Sequence, residues 1–507
     1  MLGGVQRKGA ELNNIKARLQ IGTIWISASR VLTNILGFVA TVVLARILTP
    51  NDFGLVALGT SMLAIVTSVT DLSLGSALVQ HRSPTQTHLH TVWTLGLGRA
   101  LAVALLFAAA AYPAAAIYKD PRLIPVMQVL AVSVLITGFN NPRLVMLTKG
   151  LAFRQQFILD VSIKLSALIV SLGIALIYRS YWALILGVVG GQLIGVIISY
   201  VLFPFLPRIS VRYGRELWSF SMWLTLGQIM NTINWRMDHL LIGGFLGRPA
   251  LGYYTVGDNL AVIPTREATA PIGQTLFPAF SQLVGDRVRL CVAYQSAQSL
   301  VTAIALPLGV GVAVVADPLV RLMMGEKWLP AVIVIQILAS VFALQTLGAP
   351  NQPLAMATGD TKLLFKRDLQ GFLFRIPMIV AGMMLDGLHG ILYARAFVGT
   401  VGIALALNVV KKITGLTFRE QLIVNWRALT SVAIMAVVVI VGEYLFGHRT
   451  TPVGLFIKLA GSALAGGVTY IGCSWLLWRI AGRPKGPETE VAGMALKLIQ
   501  KVRRRTA

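Results

Sequence analysis

Two turns decide the fold of this chain, ILTPNDFG at residues 47–54 and FLGRPALG at residues 245–252. Each joins two long apolar segments, and the turns coincide when the sequence is shifted by 198 residues, which also places Trp25 on Trp223. About nine identities fall within roughly 57 aligned positions, so the shared register of the turns indicates a duplication more strongly than the identity does. An even number of apolar segments separates the copies, which predicts a parallel repeat with both copies inserted in the same direction.

The composition excludes a soluble protein. Of 507 residues, 56% are hydrophobic and 12% are charged, whereas a soluble domain averages roughly 25% charged residues. Apolar runs longer than about 18 residues recur along the chain, and such runs form helices in lipid because the backbone must satisfy its hydrogen bonds internally. We therefore predict an all-α integral membrane protein with about 14 transmembrane helices. The predicted spans are residues 21–48, 53–79, 91–117, 123–148, 158–178, 181–206, 217–246, 251–279, 292–315, 329–356, 369–385, 388–410, 428–446 and 453–478.

The repeat organises these spans into two pseudo-symmetric six-helix lobes and two extra C-terminal helices. Residues 21–206 form the predicted N-lobe, residues 217–410 the C-lobe, and residues 428–478 the extra pair. Two bundles with a path between them are a transporter architecture. The remaining segments are an N-terminal segment at 1–20, an inter-lobe loop at 207–216, a loop at 411–427 and a basic tail at 479–507, all predicted to be cytoplasmic.

The orientation follows from an unequal distribution of positive charge. Of the 44 Lys and Arg residues, about 27 fall in the termini and alternate loops, against about seven in the opposite loops. This asymmetry predicts that both termini are cytoplasmic. The net charge of +25 is then explained by topology and by anionic lipid, and we expect no nucleic-acid partner. The tail is interpreted either as an amphipathic helix on the membrane surface or as a solvated polybasic segment.

A polar stripe runs along the first span and its repeat. In span one it comprises Ser27, Arg30, Asn34, Gly37 and Thr41, which the shift maps onto Thr225, Gln228, Thr232, Trp235 and His239. These spacings place each set on one helical face. Asn231 and Asp238 border the second stripe, and Arg236 lies at its edge. We interpret the stripe as the wall of a watery interior; the alternative is hydrogen bonding between helices in a packed bundle.

Further charges lie within the predicted spans. Each costs about 2.5–3.5 kcal/mol on insertion scales and therefore invites a functional hypothesis. They are Asp71, Arg99, Lys164, Asp258, Arg266, Glu267, Arg375 and Arg395. Arg375 is mid-span, whereas we expect Lys164 and Arg395 to snorkel from span ends. Arg266 and Glu267 are neighbours on different helical faces, so we expect them not to pair with each other.

No enzyme or metal motif occurs in the sequence. There is no Gly-Lys-Ser/Thr for a phosphate-binding loop, and no histidine pair has metal-ligand spacing within a predicted helix. His88 and His90 are expected to be solvated loop residues, and Cys291 and Cys473 to be apolar thiols. We therefore expect neither a cofactor nor a metal, and transport energy would come from an H⁺ or Na⁺ gradient, the substrate gradient or a partner.

Four stretches carry a family resemblance: RVLTNILGF at 30–38, LARILTPNDFGL at 44–55, DLSLGSALVQ at 71–80 and LGYY at 251–254. They resemble bacterial oligosaccharide flippases of the polysaccharide transporter family, in the MOP exporter superfamily, which also contains MATE drug exporters and lipid II flippases. The resemblance implies a MATE-like, V-shaped pair of lobes in the bacterial inner membrane. It further implies flipping of an undecaprenyl-diphosphate-linked oligosaccharide, by alternating access through a cationic central cavity, for exopolysaccharide, capsule or O-antigen assembly.

This sequence supplies candidates for each role that the resemblance implies. The candidate substrate-binding residues are Arg30, Asn34, Gln228, Asn231, Trp235, Arg236, Arg266 and Arg375. The candidates for ion coupling or charge balance are Asp71, Asp238 and Glu267. The expected partners are the lipid-linked oligosaccharide, membrane lipids, and a polysaccharide polymerase with its chain-length machinery.

Two other functions compete with this interpretation. A MATE-like ion-coupled drug exporter would take cationic substrates, which a cation-rich cavity disfavours, and span one lacks the acidic residue that often couples MATE transport. A membrane polysaccharide polymerase or ligase generally needs a long extracytoplasmic loop to hold its acceptor. The longest opposite loop, near residues 316–328, has only about a dozen residues.

Overall fold

The structure of the chain is a computed structural model. It describes residues 2–71, 78, 85–145, 153–445, 447, 451–484 and 486–489, without the side chains of residues 2–24 and 215–228. Within these ranges the chain is almost entirely helical and contains no strand. The helices are α1 Leu2–Ile47, α2 Pro50–Val69, α3 Gln86–Ile117, α4 Leu123–Gly138, α5 Phe153–Tyr178, α6 Trp182–Leu202, α7 Gly214–Phe245, α8 Arg248–Ser281, α9 Arg287–Val314, α10 Ala316–Met323, α11 Pro330–Gln345, α12 Asn351–Thr358, α13 Thr361–Thr414, α14 Phe418–Ile423, α15 Trp426–Leu445 and α16 Pro452–Ile480.

The predicted all-α membrane fold is confirmed. Every predicted span overlaps a helix, and within the described residues 10 helical stretches are long and apolar enough to cross a membrane. The predicted spans at 369–385 and 388–410 are the two halves of α13, which breaks at Asp386 and Gly387. Gly387 has a φ of 52°, a conformation that favours glycine. The chain divides into two compact units, unit 1 (Met1–Gly252) and unit 2 (Tyr253–Ala507).

Side chains of the first repeated turn cap the N-terminus of α2. Thr49 and Asp52 form a capping box, in which the Asp52 amide donates to Thr49 Oγ1 at 3.3 Å and the Thr49 amide donates to Asp52 Oδ2 at 2.9 Å. Pro50 occupies the first helical turn, where its missing N–H leaves no bond unmade. Threonine, proline and aspartate at these positions therefore explain why the long apolar stretch is interrupted here.

The two repeated turns pack directly against each other within unit 1. A Cβ atom added to Gly54 would overlap the backbone carbonyl of Arg248, and one added to Gly252 would overlap that of Pro50. These four residues are equivalent in the repeat, since Gly54 maps onto Gly252 and Pro50 onto Arg248. The duplication is therefore expressed as a reciprocal contact in which only glycine allows the backbones to approach so closely.

Unit 2 carries the two additional helices on its own core. Leu306 of α9, Ala343 of α11, and Val432 and Met435 of α15 form a buried cluster. The Tyr470 hydroxyl of α16 donates to the carbonyl of Ala303 at 2.7 Å. The final helix pair is therefore an integral part of unit 2.

A second close glycine contact joins the two halves of α13, on either side of its break. The Cβ of an alanine at 390 would overlap the carbonyl of Gly382, so we expect Gly390→Ala to destabilise the protein by about 1–3 kcal/mol. Gly402, in the same helix, has open space around its Cβ position, and Gly402→Ala should stabilise it by about 0.4–1 kcal/mol. Thermal unfolding of the two variants in detergent checks this pair; equal shifts in Tm would contradict the close crossing.

Candidate functional site

A polar pocket of about 410 Å³ lies within unit 1, between α2, α3 and α7. It is lined by Ala64, Thr67, Ser68, Asp71, Arg99, Asn231, Thr232, Trp235 and Arg236. Three of the predicted substrate-binding residues and one of the predicted charge-balancing acids thus come together here. They come from spans two and seven, which are far apart in the sequence.

One wall of the pocket is a face of α7. Asn231 and Trp235 are four residues apart, as are Thr232 and Arg236, so the four side chains form two adjacent rows on the helix. The Trp235 side chain lines the pocket and is 41% exposed. His239, the next member of the predicted stripe, is buried. The stripe therefore lines a polar space at Thr232 and Trp235 and enters the packed interior beyond them.

Another wall of the pocket contains Arg99, which is held by two partners. Arg99 Nη2 of α3 donates to the Thr67 carbonyl at 3.1 Å, and its Nη1 lies 3.7 Å from Asp71 Oδ1. The side chains of Arg99 and Asp71 are 30% and 38% exposed, so solvent screens this ion pair. Asp71 therefore orients the guanidinium and offsets part of its charge, without neutralising the pocket.

Arg99 was not among the predicted site residues, although its charge is evident in the sequence. The signal that could have identified Arg99 is its position in the sequence relative to Asp71. Asp71 lies near the end of one span and Arg99 near the beginning of the next, and these two ends lie on the same side of a membrane. An acid and a base at such positions can meet across the connecting segment.

The pocket thus combines two guanidinium groups, one carboxylate, one carboxamide and an indole face. Guanidinium groups bind phosphate oxygens bidentately, and an indole offers an apolar face to a ring.

The predicted residues of α1 lie outside this pocket. Arg30 and Asn34 are half-buried on α1, and neither lines the pocket. Near them, Asp160 of α5 accepts hydrogen bonds from Ser29 Oγ at 2.9 Å and from Gln156 Nε2 at 2.8 Å, which fixes α1 against α5. The side chain of Gln228 lies outside the described residues. Asp238 is 1% exposed and packs inside unit 1.

Arg266 and Glu267 form an ion pair in α8, so the expectation that they would not pair was wrong. Arg266 Nε lies 3.1 Å from Glu267 Oε1, with the two side chains 53% and 29% exposed. Adjacent Cβ atoms do diverge on a helix, but both side chains are long and bend toward each other where space allows. Such an exposed pair contributes about 0–1 kcal/mol to stability.

Arg375 and Arg395 are both buried in unit 2, on the two halves of α13. The Arg395 guanidinium carbon lies 5.9 Å from the centre of the Phe342 ring, a cation–π distance. The expectation that Arg395 snorkels was therefore wrong. The break at Asp386 and Gly387 folds the second half of α13 back, and this places the arginine inside the unit.

His88 and His90 lie in the first turns of α3, so their prediction as solvated loop residues was wrong. The Thr85 amide donates to His88 Nδ1 at 3.2 Å and so caps the helix. His88 is 4% exposed and stacks on Tyr213, with ring centroids 3.9 Å apart. Residues that cap a helix lie outside its apolar periodicity. The sequence pattern therefore gave no signal that His88 belongs to the start of α3.

A cluster of charges lies beside the two repeated turns. Asp120, which is 5% exposed, accepts from the amide and Nε of Arg122 at 3.1 and 3.3 Å and is ion-paired with Arg248 Nη1. Arg248 belongs to the second turn and Asp120 to the α3–α4 connection, so the ion pair joins the second copy of the repeat to the first. Loss of either arginine would leave the buried Asp120 carboxylate with fewer partners, which is costly.

The sequence of the chain is similar to those of known proteins. A family model described as "Polysaccharide biosynthesis protein" matches residues 43–333. The chain is 26% identical over 415 residues to the lipopolysaccharide biosynthesis protein WzxC of Escherichia coli, covering 80% of this chain and 83% of that protein. It is 24% identical over 450 residues to the succinoglycan biosynthesis transport protein ExoT of Rhizobium meliloti, covering 88% and 90%.

Two solved structures show the same fold. The lipid II flippase MurJ, in an inward closed conformation, superimposes with a TM-score of 0.74 at 13% identity over 91% of this chain and 100% of that one. An inward-facing multidrug resistance MATE family transporter of the MOP superfamily gives 0.57 at 16% identity over 76% and 96%.

Proposed function

The chain belongs to the polysaccharide biosynthesis protein family, and from this we propose that it is a flippase, not an enzyme. Its substrate is an oligosaccharide linked to undecaprenyl diphosphate, which it moves from the cytoplasmic to the periplasmic leaflet of the bacterial inner membrane. The product serves exopolysaccharide, capsule or O-antigen assembly. The similarity to ExoT, a succinoglycan biosynthesis transport protein, and to MurJ, a lipid II flippase, supports this assignment.

The observation that carries the proposal is the pocket between α2, α3 and α7. A lipid diphosphate brings negative charge into a region where a bare charge is expensive. Arg99 and Arg236 replace part of its hydration by charge-assisted hydrogen bonds. Trp235 offers its ring to the first sugar, and Asn231 offers donors and acceptors to the sugar hydroxyls. Since these side chains are partly exposed, the ligand stays hydrated enough to be released.

The reciprocal contact of the repeated turns is the proposed periplasmic gate. In the orientation predicted from the basic residues, both turns face the periplasm. Gly54 and Gly252 close the backbones onto each other, and the ion pair of Asp120 with Arg248 holds the closed state. Opening the gate requires this pair to separate, which we propose occurs during the alternating-access cycle.

Energy and partners follow from the same proposal. Transport uses no organic cofactor and is driven by an H⁺ or Na⁺ gradient, with Asp71 as the acid nearest the substrate. A polysaccharide polymerase and its chain-length machinery receive the flipped product. Two arginines in the pocket argue against cationic drugs as substrates, although the MATE fold itself would allow them.

The proposal is tested by reconstitution. Proteoliposomes containing the protein are given a fluorescent polyprenyl-diphosphate oligosaccharide and, in parallel, a fluorescent phosphatidylcholine, with an H⁺ or Na⁺ gradient imposed in turn. We expect only the diphosphate lipid to become accessible on the far leaflet. Equal movement of phosphatidylcholine would indicate a non-selective scramblase, and no movement of either lipid would refute the assignment.

The topology gives a separate prediction. With Cys291 and Cys473 replaced by serine, Gly447→Cys should react with a membrane-impermeant maleimide added to intact cells, whereas Phe418→Cys should not. The physical reason is the excess of basic residues on the side of residues 411–427. Lysed cells provide the control, because both positions should then be labelled. The reverse pattern in intact cells would invert the orientation.

A further inference from the structure

The segment that joins α6 to α7, residues 203–213, lacks regular secondary structure apart from a turn at 212–213, and its backbone is held against unit 1. The Phe203 and Pro204 carbonyls accept from Asn141 Nδ2 and Arg143 Nη1, each at 2.6 Å. The Arg208 amide donates to His90 Nδ1 at 3.2 Å, and the Ser210 amide donates to Thr94 Oγ1 at 3.0 Å. The orientation of its side chains is therefore set, so one side of the segment faces the protein and the other faces away from it.

The inward side of the segment is apolar and packed. Phe205 is 7% exposed and lies in a buried cluster with Leu78 and Leu89. Tyr213 stacks on His88. These contacts anchor both ends of the segment to α3, and they prevent the outward side chains from turning inward.

The outward side is both apolar and cationic. Leu206, Ile209 and Val211 are 87%, 86% and 67% exposed, although they are aliphatic. Arg208, which lies between Leu206 and Ile209, and Arg212, which follows Val211, are both exposed. The Arg212 guanidinium carbon lies 5.9 Å from the centre of the Tyr213 ring, and residues 203–213 contain no acidic residue. Three exposed aliphatic side chains on a fixed segment are unfavourable in water. The neighbouring arginines would in turn disfavour the binding of an apolar protein surface.

The position of the segment identifies what covers this side. It begins where α6 ends, at Leu202, it ends where α7 starts, at Gly214, and it runs beside the first turns of α3. Since the end of α6 and the start of α3 belong to candidate membrane spans, we expect the segment to lie near the depth where hydrocarbon gives way to headgroups. Aliphatic side chains and arginines together match that zone, because the former enter the acyl boundary and the latter bind phosphates.

We propose that the outward side of residues 203–213 is a binding surface for anionic phospholipids. Leu206, Ile209 and Val211 insert at the interface, and Arg208 and Arg212 select negatively charged headgroups over zwitterionic ones. The connection between the two copies of the repeat is thereby tied to the lipid leaflet as well as to α3. This surface is separate from the pocket of α2, α3 and α7 and does not depend on the transported substrate.

The test measures lipid contact at Ile209 in the full-length protein. With Cys291 and Cys473 replaced by serine, Ile209→Cys is labelled with the environment-sensitive dye NBD and reconstituted into phosphatidylcholine vesicles containing 20% phosphatidylglycerol. A doxyl quencher is carried either by the phosphatidylglycerol or by an equal amount of phosphatidylcholine. We expect blue-shifted emission and at least about twofold stronger quenching by the anionic lipid.

Two variants make the result specific. Arg208→Gln with Arg212→Gln should abolish the preference while leaving the blue shift, since the aliphatic contacts remain. Leu385→Cys, also 86% exposed but beside Asp386, should be quenched equally by both lipids. Emission typical of water at position 209 would overturn the proposal, as would equal quenching there by the two headgroups.

Discussion

Replacing Arg99 and Arg236 together by alanine should reduce transport by about 100-fold or more, while the protein still inserts and accumulates. Each guanidinium provides charge-assisted hydrogen bonds worth about 1.5–3 kcal/mol, and the loss of two such contacts to one diphosphate accounts for the size of the effect. Flipping in proteoliposomes, normalised to the amount of reconstituted protein, measures it. Arg289→Ala is the matched control, because Arg289 is 77% exposed and outside the pocket.

Conservative variants separate charge from geometry. Arg236→Lys should retain about a tenth of the activity if charge dominates, and much less if bidentate binding does. Trp235→Ala should raise the KM for the oligosaccharide-bearing lipid by about tenfold and have less effect on a polyprenyl diphosphate that lacks the sugar. Wild-type transport by the double alanine variant would refute the role of the pocket.

Joining the two repeated turns covalently should arrest transport. Asn51 and Pro249 are equivalent positions of the repeat, on turns that are already in contact through Gly54 and Gly252. If the gate must open in each cycle, a disulfide between Asn51→Cys and Pro249→Cys stops turnover after at most one movement, and a reductant restores it. The measurement is flipping before and after reduction, in protein lacking Cys291 and Cys473.

Single-cysteine variants test whether the substitutions or the oxidation alone are harmful. Asn51→Cys alone and Pro249→Cys alone, treated with the same oxidant, should keep their transport, because neither can form the disulfide between the two turns. Full activity of the cross-linked 51–249 variant would argue that the turns stay together throughout the cycle.

The fold could be predicted because a membrane allows only a few kinds of spanning structure. The length of apolar runs placed a helix at every predicted span, and the register of the repeat placed the turn after α1. The repeat predicts that the two turns approach each other when the protein is open to the cytoplasm. What the sequence did not reveal is the close backbone contact through Gly54 and Gly252. That contact depends on backbones approaching across the repeat, and a repeat shows that two segments are alike without showing that they touch.

The candidate site could be predicted only in part, for reasons that differ between residues. Asn231, Trp235 and Arg236 follow helical spacing on one segment, so periodicity found them. Arg99 required a tertiary contact with Asp71 and was missed as a site residue. The pairing of Arg266 with Glu267 depends on flexible side chains, which helical geometry does not fix.

The location of the diphosphate is tested most directly by photochemical mapping. A polyprenyl-diphosphate oligosaccharide carrying a diazirine on its first sugar is bound to the purified wild-type protein, irradiated, and the labelled peptides are identified by mass spectrometry. We expect labels in the α7 peptide containing Asn231 and Trp235, and we expect them to be lost when Arg99 and Arg236 are both alanine. Labels confined to the α13 peptide containing Arg375, or labels at α7 that persist without the two arginines, would contradict it.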